Sequence, residues 1–164
     1  MNIRQLKRII GLALLLTLDT VNAESKFQDI GNGWTAFTKQ SDPFDSSKVK
    51  VIQVWKDSFI FRCNEINMKA SSYGFESISF NATLKYIVDN NSPINKKGRY
   101  STYLGGSDLV TDDRYYSFKL NKSDLDSLKN GNTIKVAGKF SSSGWFSKSL
   151  NLKGFTKAYN KMCN

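Results

Sequence analysis

The 164-residue chain carries 24 Lys and Arg against 14 Asp and Glu, a formal net charge of +10. That length suits one domain with a real core, and the charge points to contact with anionic surfaces such as lipid headgroups, lipopolysaccharide, acidic wall polymers or nucleic acid. Histidine is absent, which excludes a Ser-His-Asp or Cys-His nucleophile and removes the commonest transition-metal ligand.

Residues 1–8 carry Arg4, Lys7 and Arg8 and run into the apolar stretch 9–16, with small residues at Val21-Asn22-Ala23. Charged, apolar and cleavage regions in that order predict a secretory signal peptide over residues 1–23. The apolar run is shorter than the ~20 residues a membrane-spanning helix needs. With no cysteine at the cleavage point, a lipid anchor is not expected. Removing 23 residues from 164 leaves 141 for a single soluble domain, residues 24–164. Three of the 24 basic and one of the 14 acidic residues (Asp19) leave with the signal, so 21 and 13 remain, a net charge of +8. Export to the periplasm or medium puts the only two cysteines, Cys63 and Cys163, where disulfides persist. An intramolecular bond is the expected state, the alternatives being intermolecular pairing or two free thiols.

Strand signals dominate from there. Residues 33–37 form a short apolar segment, followed by a turn at Ser41-Asp42-Pro43. Over 48–56, Val49, Val51 and Trp55 fall on one face and Lys50, Ile52, Val54 and Lys56 on the other, so both faces are expected to be covered. Asp57-Ser58 turns into a strand over 58–64, in which Phe59, Phe61 and Cys63 share a face and Arg62 opposes them. A turn at Asn64-Glu65 leads to a strand over 66–70. Residues 78–88 place Ile78, Phe80, Ala82, Leu84, Tyr86 and Val88 at every second position, a half-buried strand ended by the turn formers of 89–93. Strands over 99–104 and 115–120 follow, separated by a Gly- and Asp-rich loop.

Asn121, with Asp124 three residues on, Leu125 and Leu128 as an apolar stripe, and Gly131 as a stop, predicts a helix over 122–130. Residues 133–140 and 145–152 return to strand. Over 154–163, Phe155, Ala158, Tyr159, Met162 and Cys163 share one helical side, opposite Lys157 and Lys161. Some eight short strands and no repeat predict a mainly β fold: an antiparallel β-sandwich or open barrel with one short internal helix and a short C-terminal helix.

Four features together resemble the small exported proteins associated with type VI secretion gene clusters. They are Trp34 with the Ser41-Asp42-Pro43-Phe44-Asp45 turn, the strand ending Arg62-Cys63-Asn64, the strand at residues 83–89 with its Lys85 rung, and the close through Leu150, Leu152, Gly154, Phe155, Ala158 and Cys163. Their order covers nearly all of the mature chain. Domains of this shape also look like ones carried by phages and mobile elements. The resemblance implies an exported, disulfide-closed β domain with no known catalysis.

The residues themselves offer little for catalysis. Glu24, Glu65 and Glu76 are the only glutamates and none lies in a suggestive motif. The acidic loop 108–113 lacks the alternating ligand spacing of an EF-hand, so neither metal nor cofactor is expected. Arg62 reads as a solvated rung or a partner for a sheet carboxylate. Trp145 reads as a contact tip or a core anchor. The most suggestive surface is a basic hairpin loop with interleaved aromatics: Lys96, Lys97, Arg99, Tyr100 and Tyr103. It reads either as a ligand or partner surface or as an ordinary basic hairpin whose tyrosines pack at a sheet edge. The expected function is an exported, non-catalytic binding or accessory domain of the bacterial envelope, serving a type VI secretion apparatus or a mobile element. The expected partner is an envelope protein or an anionic envelope component rather than nucleic acid. The alternative class is an inhibitor or small toxin acting on an envelope component.

Overall fold

The computed structural model describes residues 25–40, 42, 45, 48–71, 79–101, 113–140 and 144–163. The expected signal peptide, Ser41 and Pro43, Ile78, Tyr103 and the acidic loop up to Asp112 lie outside them. Ten strands form one antiparallel sheet: β1 (Ser25–Gly31), β2 (Trp34–Gln40), β3 (Val49–Lys56), β4 (Phe59–Arg62), β5 (Glu65–Ser71), β6 (Ser79–Val88), β7 (Ile94–Ser101), β8 (Arg114–Lys119), β9 (Thr133–Phe140) and β10 (Phe146–Asn151). Their spatial order is β1-β2-β3-β4-β5-β8-β7-β6-β9-β10. Helix α1 (Lys122–Asn130) follows β8, and α2 (Phe155–Cys163) follows β10. The mainly β, antiparallel fold class read from alternation is therefore the one the chain adopts.

The sheet curls around one core. Trp34 at the start of β2 donates its Nε1–H to the Lys153 carbonyl beyond β10 at 2.8 Å, and Lys148 of β10 reaches Ser58 in the β3–β4 turn at 2.7 Å. The two ends of the strand order thus approach one another across the interior, the arrangement of an open barrel or tightly folded sandwich. Trp34, Phe61 and Phe155 meet there with ring centroids 4.9–5.7 Å apart, and Tyr86 stacks on Phe118 at 5.7 Å. Helix α2 lies over β2 and β3 and against α1, burying Phe155, Ala158, Tyr159 and Met162. Burying the larger of these side chains is worth about 1.5–3 kcal/mol each, and so short a helix persists only through that packing.

Several expectations are corrected. β1 pairs with β2 in register from Ser25↔Lys39 to Gly31↔Trp34, a strand that the weak alternation of Phe27 and Ile30 does not announce. The β1–β2 turn takes Gly31, Asn32 and Gly33 through three consecutive positive φ angles of 91°, 55° and 76°, a path open to glycine and tolerated by asparagine. In β3 the register jumps from Phe37↔Gln53 to Thr38↔Val51. The bulge at Ile52 reverses the alternation, so Val51 and Val54 both face the core instead of lying on the opposite faces that a strict period of two assigns them.

Cys63 stands in the β4–β5 turn and is exposed, because β4 ends at Arg62 and the turn falls at Cys63-Asn64 rather than Asn64-Glu65. It is therefore not a member of the inward row of Phe59 and Phe61. Its bond to Cys163, with Cα atoms 5.5 Å apart, staples that turn to the last residue of α2 at the edge of the core. The Tyr159 hydroxyl donates to the Cys63 carbonyl at 3.0 Å and reinforces the same junction.

Candidate functional site

The basic-aromatic segment expected as a hairpin loop is strand β7, and strand geometry divides its residues between two faces. Lys96 and Tyr100 point inward. Tyr100 is buried and stacks on Phe140 with centroids 4.1 Å apart. Lys97 and Arg99 point outward and are exposed. Of the four described residues of that set, Lys97 and Arg99 face solvent together and Lys96 and Tyr100 lie on the other face, Tyr103 being outside the described residues.

On the inner side, Lys96 Nζ pairs with Asp124 Oδ2, the Tyr86 hydroxyl donates to Asp124 Oδ1, and the Asn121 backbone N–H donates to Oδ2 at 2.7 Å. Asn121 accepts in return from the Asp124 N–H at 2.9 Å, closing the capping box of α1 that the sequence predicts. Asp124 is 3 % exposed. Burial pushes its carboxyl up, but the Lys96, Tyr86 and Asn121 donors outweigh that and hold it below the usual carboxylate value. Burial first, and then the bond to Asp124, raises the Tyr86 hydroxyl above its ordinary range. This cluster joins β6, β7 and α1 around a buried carboxylate whose two oxygens are both taken, an arrangement that ties the helix to the sheet.

On the outer side a groove of about 620 Å³ runs across β4, β5, β8 and β7. Its floor is Asn67 and Ser117, which are register partners and have short side chains. Arg62 flanks it on β4, and Lys97 and Arg99 flank it on β7. A trough forms where the short Asn67 and Ser117 lie between the longer Arg62 on one flank and Lys97 and Arg99 on the other. Glu65 sits opposite both Arg62 and Lys119 in register and pairs with Lys119 Nζ at 2.7 Å. Lys119 is well exposed, so this pair contributes little to stability. Arg62 Nη2 reaches the Gln53 oxygen at 3.5 Å.

One feature distinguishes the groove from an ordinary solvated face. Neither Lys97 nor Arg99 forms an ion pair among the described residues. Asn67 at its floor is 1 % exposed, and its amide nitrogen, closed to solvent, has no partner among the described residues. What the groove presents to solvent is therefore its exposed cations rather than that amide.

Two further surface features lie apart from it. Trp145 is 49 % exposed, with Lys85 Nζ 5.1 Å from its ring centroid, so it is a surface side chain and not a core anchor. Phe27 is 57 % exposed and packs on Phe37 and Trp55 across the outer face of β1–β3. Among the described residues no group of three or more His, Cys, Asp or Glu is placed to hold a metal, and no helix is long and apolar enough to cross a membrane.

Asn67, Ser117, Glu65 and Lys119 were not singled out from sequence. Each is an unremarkable polar position of an alternating strand. They become neighbours of Arg99 only because β8 inserts between β5 and β7. Comparison with protein-family models, curated proteins and solved structures finds no match to this chain.

Proposed function

We propose that the chain is an exported, non-catalytic binding domain of the bacterial envelope, accessory to a type VI secretion apparatus or carried by a mobile element, acting in the periplasm or outside the cell. The observation that carries this reading is the outer groove, where Lys97 and Arg99 stand exposed with no ion pair among the described residues. That arrangement suits holding an anionic partner. Its groups are spread along a trough and do not converge on a reacting atom as a nucleophile and base must. The Cys63–Cys163 bond supports an oxidising compartment.

The test is expression of the full chain in a Gram-negative host, with fractionation and affinity capture from cross-linked envelope extract. The expected result is a signal-processed protein in the periplasm or medium that brings down an envelope component. Arrest of growth on periplasmic expression would overturn the accessory role in favour of a toxin. A protein that stays in the cytoplasm would overturn the compartment.

A further inference from the structure

Alternation decides what the neighbouring strands β7, β6, β9 and β10 show to solvent. Their inward rows, such as Leu84 and Tyr86 on β6 and Ile134 and Val136 on β9, are buried in the core. The outward rows carry Lys85 on β6, Lys97 and Arg99 on β7, and Lys135 and Lys139 on β9. No residue of these four strands, on either face, is acidic. Thr83 is the register partner of both Lys97 and Lys139, so those two lysines stand about 10 Å apart at the backbone, two spacings of ~4.8 Å. Arg99 lies level with Asn81 and Lys135 level with Ile87, which spreads the cations over about 20 Å along β6 at ~3.4 Å per residue.

On the adjoining strands the outward lysines have partners: Lys119 pairs with Glu65 and Lys69 with Asp113, both at 2.7 Å. None of Lys85, Lys97, Arg99, Lys135 and Lys139 forms an ion pair among the described residues. Lys139 is half-buried and the other four are exposed. Trp145 stands beside them, one residue before the Phe146↔Gly138 pair and so next to Lys139, with Lys85 Nζ 5.1 Å from its ring centroid. Cations spread over three adjacent strands match a field of anions in two dimensions, which is what a charged lipid leaflet presents. Lysine stems can lie along such a surface with their ammonium groups at the phosphates. An exposed indole, with its apolar ring and its N–H, suits the headgroup layer.

Building on the binding reading above, we propose that the outward face of β7, β6 and β9, with Trp145 at its edge, docks the protein on an anionic phospholipid bilayer. The five cations lie at the headgroup phosphates and Trp145 enters the interfacial layer. The attraction fades within a Debye length of the surface, ~8 Å at physiological salt.

The test is co-sedimentation of the purified, oxidised protein with phosphatidylcholine vesicles made with and without phosphatidylglycerol. Binding is expected only with phosphatidylglycerol, and about 1 M salt should abolish it. Lys97→Gln combined with Lys139→Gln should weaken binding about fivefold for each cation removed, ~1 kcal/mol apiece, while leaving the melting temperature unchanged. Lys122→Gln with Lys157→Gln removes the same charge from the exposed sides of α1 and α2 and should leave binding within about twofold of wild type. Equal losses from the two pairs would trace the attraction to net charge alone and overturn the proposal, as would equal binding to both vesicles. Brominated lipid should quench part of the tryptophan emission, a quenching that Trp145→Phe removes, and no quenching in the wild type overturns the docked orientation. Tighter binding of an oligothymidylate than of the vesicles, lost in the Lys97 and Lys139 variant, would assign the face to nucleic acid instead. Capture from envelope extract, repeated with that variant, keeps the two readings apart. An envelope partner retained by the variant, with no vesicle binding by the wild type, defeats membrane docking and spares the binding domain. Vesicle binding by a protein that stays in the cytoplasm does the reverse.

Discussion

Replacing Asp124 by Asn removes one charge from the centre of the Tyr86–Lys96–Asp124 cluster and changes almost nothing in volume. The carboxylate accepts from three donors, the Tyr86 hydroxyl, the Lys96 ammonium and the Asn121 N–H. A carboxamide keeps one acceptor oxygen for Lys96 and the Asn121 N–H, and its NH₂ then faces the Tyr86 hydroxyl, which must turn from donor to acceptor while the Lys96 ammonium loses its counter-charge. Removing one member of a buried ion pair costs about 3–5 kcal/mol. The Lys96 side chain keeps 17 % of its exposure and recovers some hydration. The expected loss is therefore about 2–4 kcal/mol, or roughly 6–12 °C in melting temperature for a domain of this size. Thermal unfolding followed by circular dichroism at pH 7 reads it. Adding Lys96→Met should return part of the loss, because the stranded cation is then gone. The folded-state carboxyl lies below its ordinary value of 3.8, so its contribution is complete above that pH and fades as pH falls further. The gap between wild type and variant must accordingly narrow only in acid. A shift below about 2 °C at pH 7, or a gap that does not narrow below that pH, would refute the assignment of this cluster as the tie between α1 and the sheet.

The Cys63–Cys163 bond closes a loop with a sequence separation of 100, for which chain entropy predicts up to about 4–5 kcal/mol. The double Cys→Ser variant should lose a comparable unfolding free energy, read from urea denaturation, and an unchanged value would show the staple to be energetically idle. A Cβ added at Gly138 would lie 2.5 Å from the Tyr116 ring, whereas one at Gly144 meets nothing within 4 Å. Gly138→Ala should cost about 1–3 kcal/mol, and Gly144→Ala should be nearly silent in the same melting assay. Asp89 accepts from the Asn132 and Thr133 backbone N–H groups and from the Thr133 hydroxyl, the Thr133 backbone contributing most to holding its carboxyl below the ordinary value of 3.8. Asp89→Ala should lower the amide-exchange protection factors of Asn132 and Thr133 near neutral pH, and acidification below 3.8 should lower the same protection factors in the wild type.

The sequence was most informative where the determining interactions are local. Asn121 and Asp124 bond one another within a single helical turn, and α1 appears at its expected boundaries, 122–130. The period-two pattern from Ala82 to Val88 likewise survives as the inward row of β6. It was least informative where a partner is remote. The first part of β7 reads as a basic hairpin loop, with strand expected only from Arg99 on. Yet Lys96 is acceptable inside only because Asp124, 28 residues on, neutralises it there. The groove shares that difficulty. Lys97 and Arg99 could be named in advance, but their setting depends on β8 docking against β5 rather than continuing outward from β6 and β7. The bulge at Ile52 and the early end of β4 are one-residue events, and a period-two argument carries no information about where such an event occurs.

Helix α2 also has a temporal meaning. Trp34, at the start of β2, is completed by the Lys153 carbonyl and the ring of Phe155, more than a hundred residues later in the chain. A polypeptide delivered amino end first, from a ribosome or through a translocation pore, therefore carries an unfinished hydrophobic centre for most of its passage. Helix α2 packs Phe155 on Trp34 and Phe61 and brings the second sulfur to Cys63, so the centre of the core is complete only once residues 153–163 have docked.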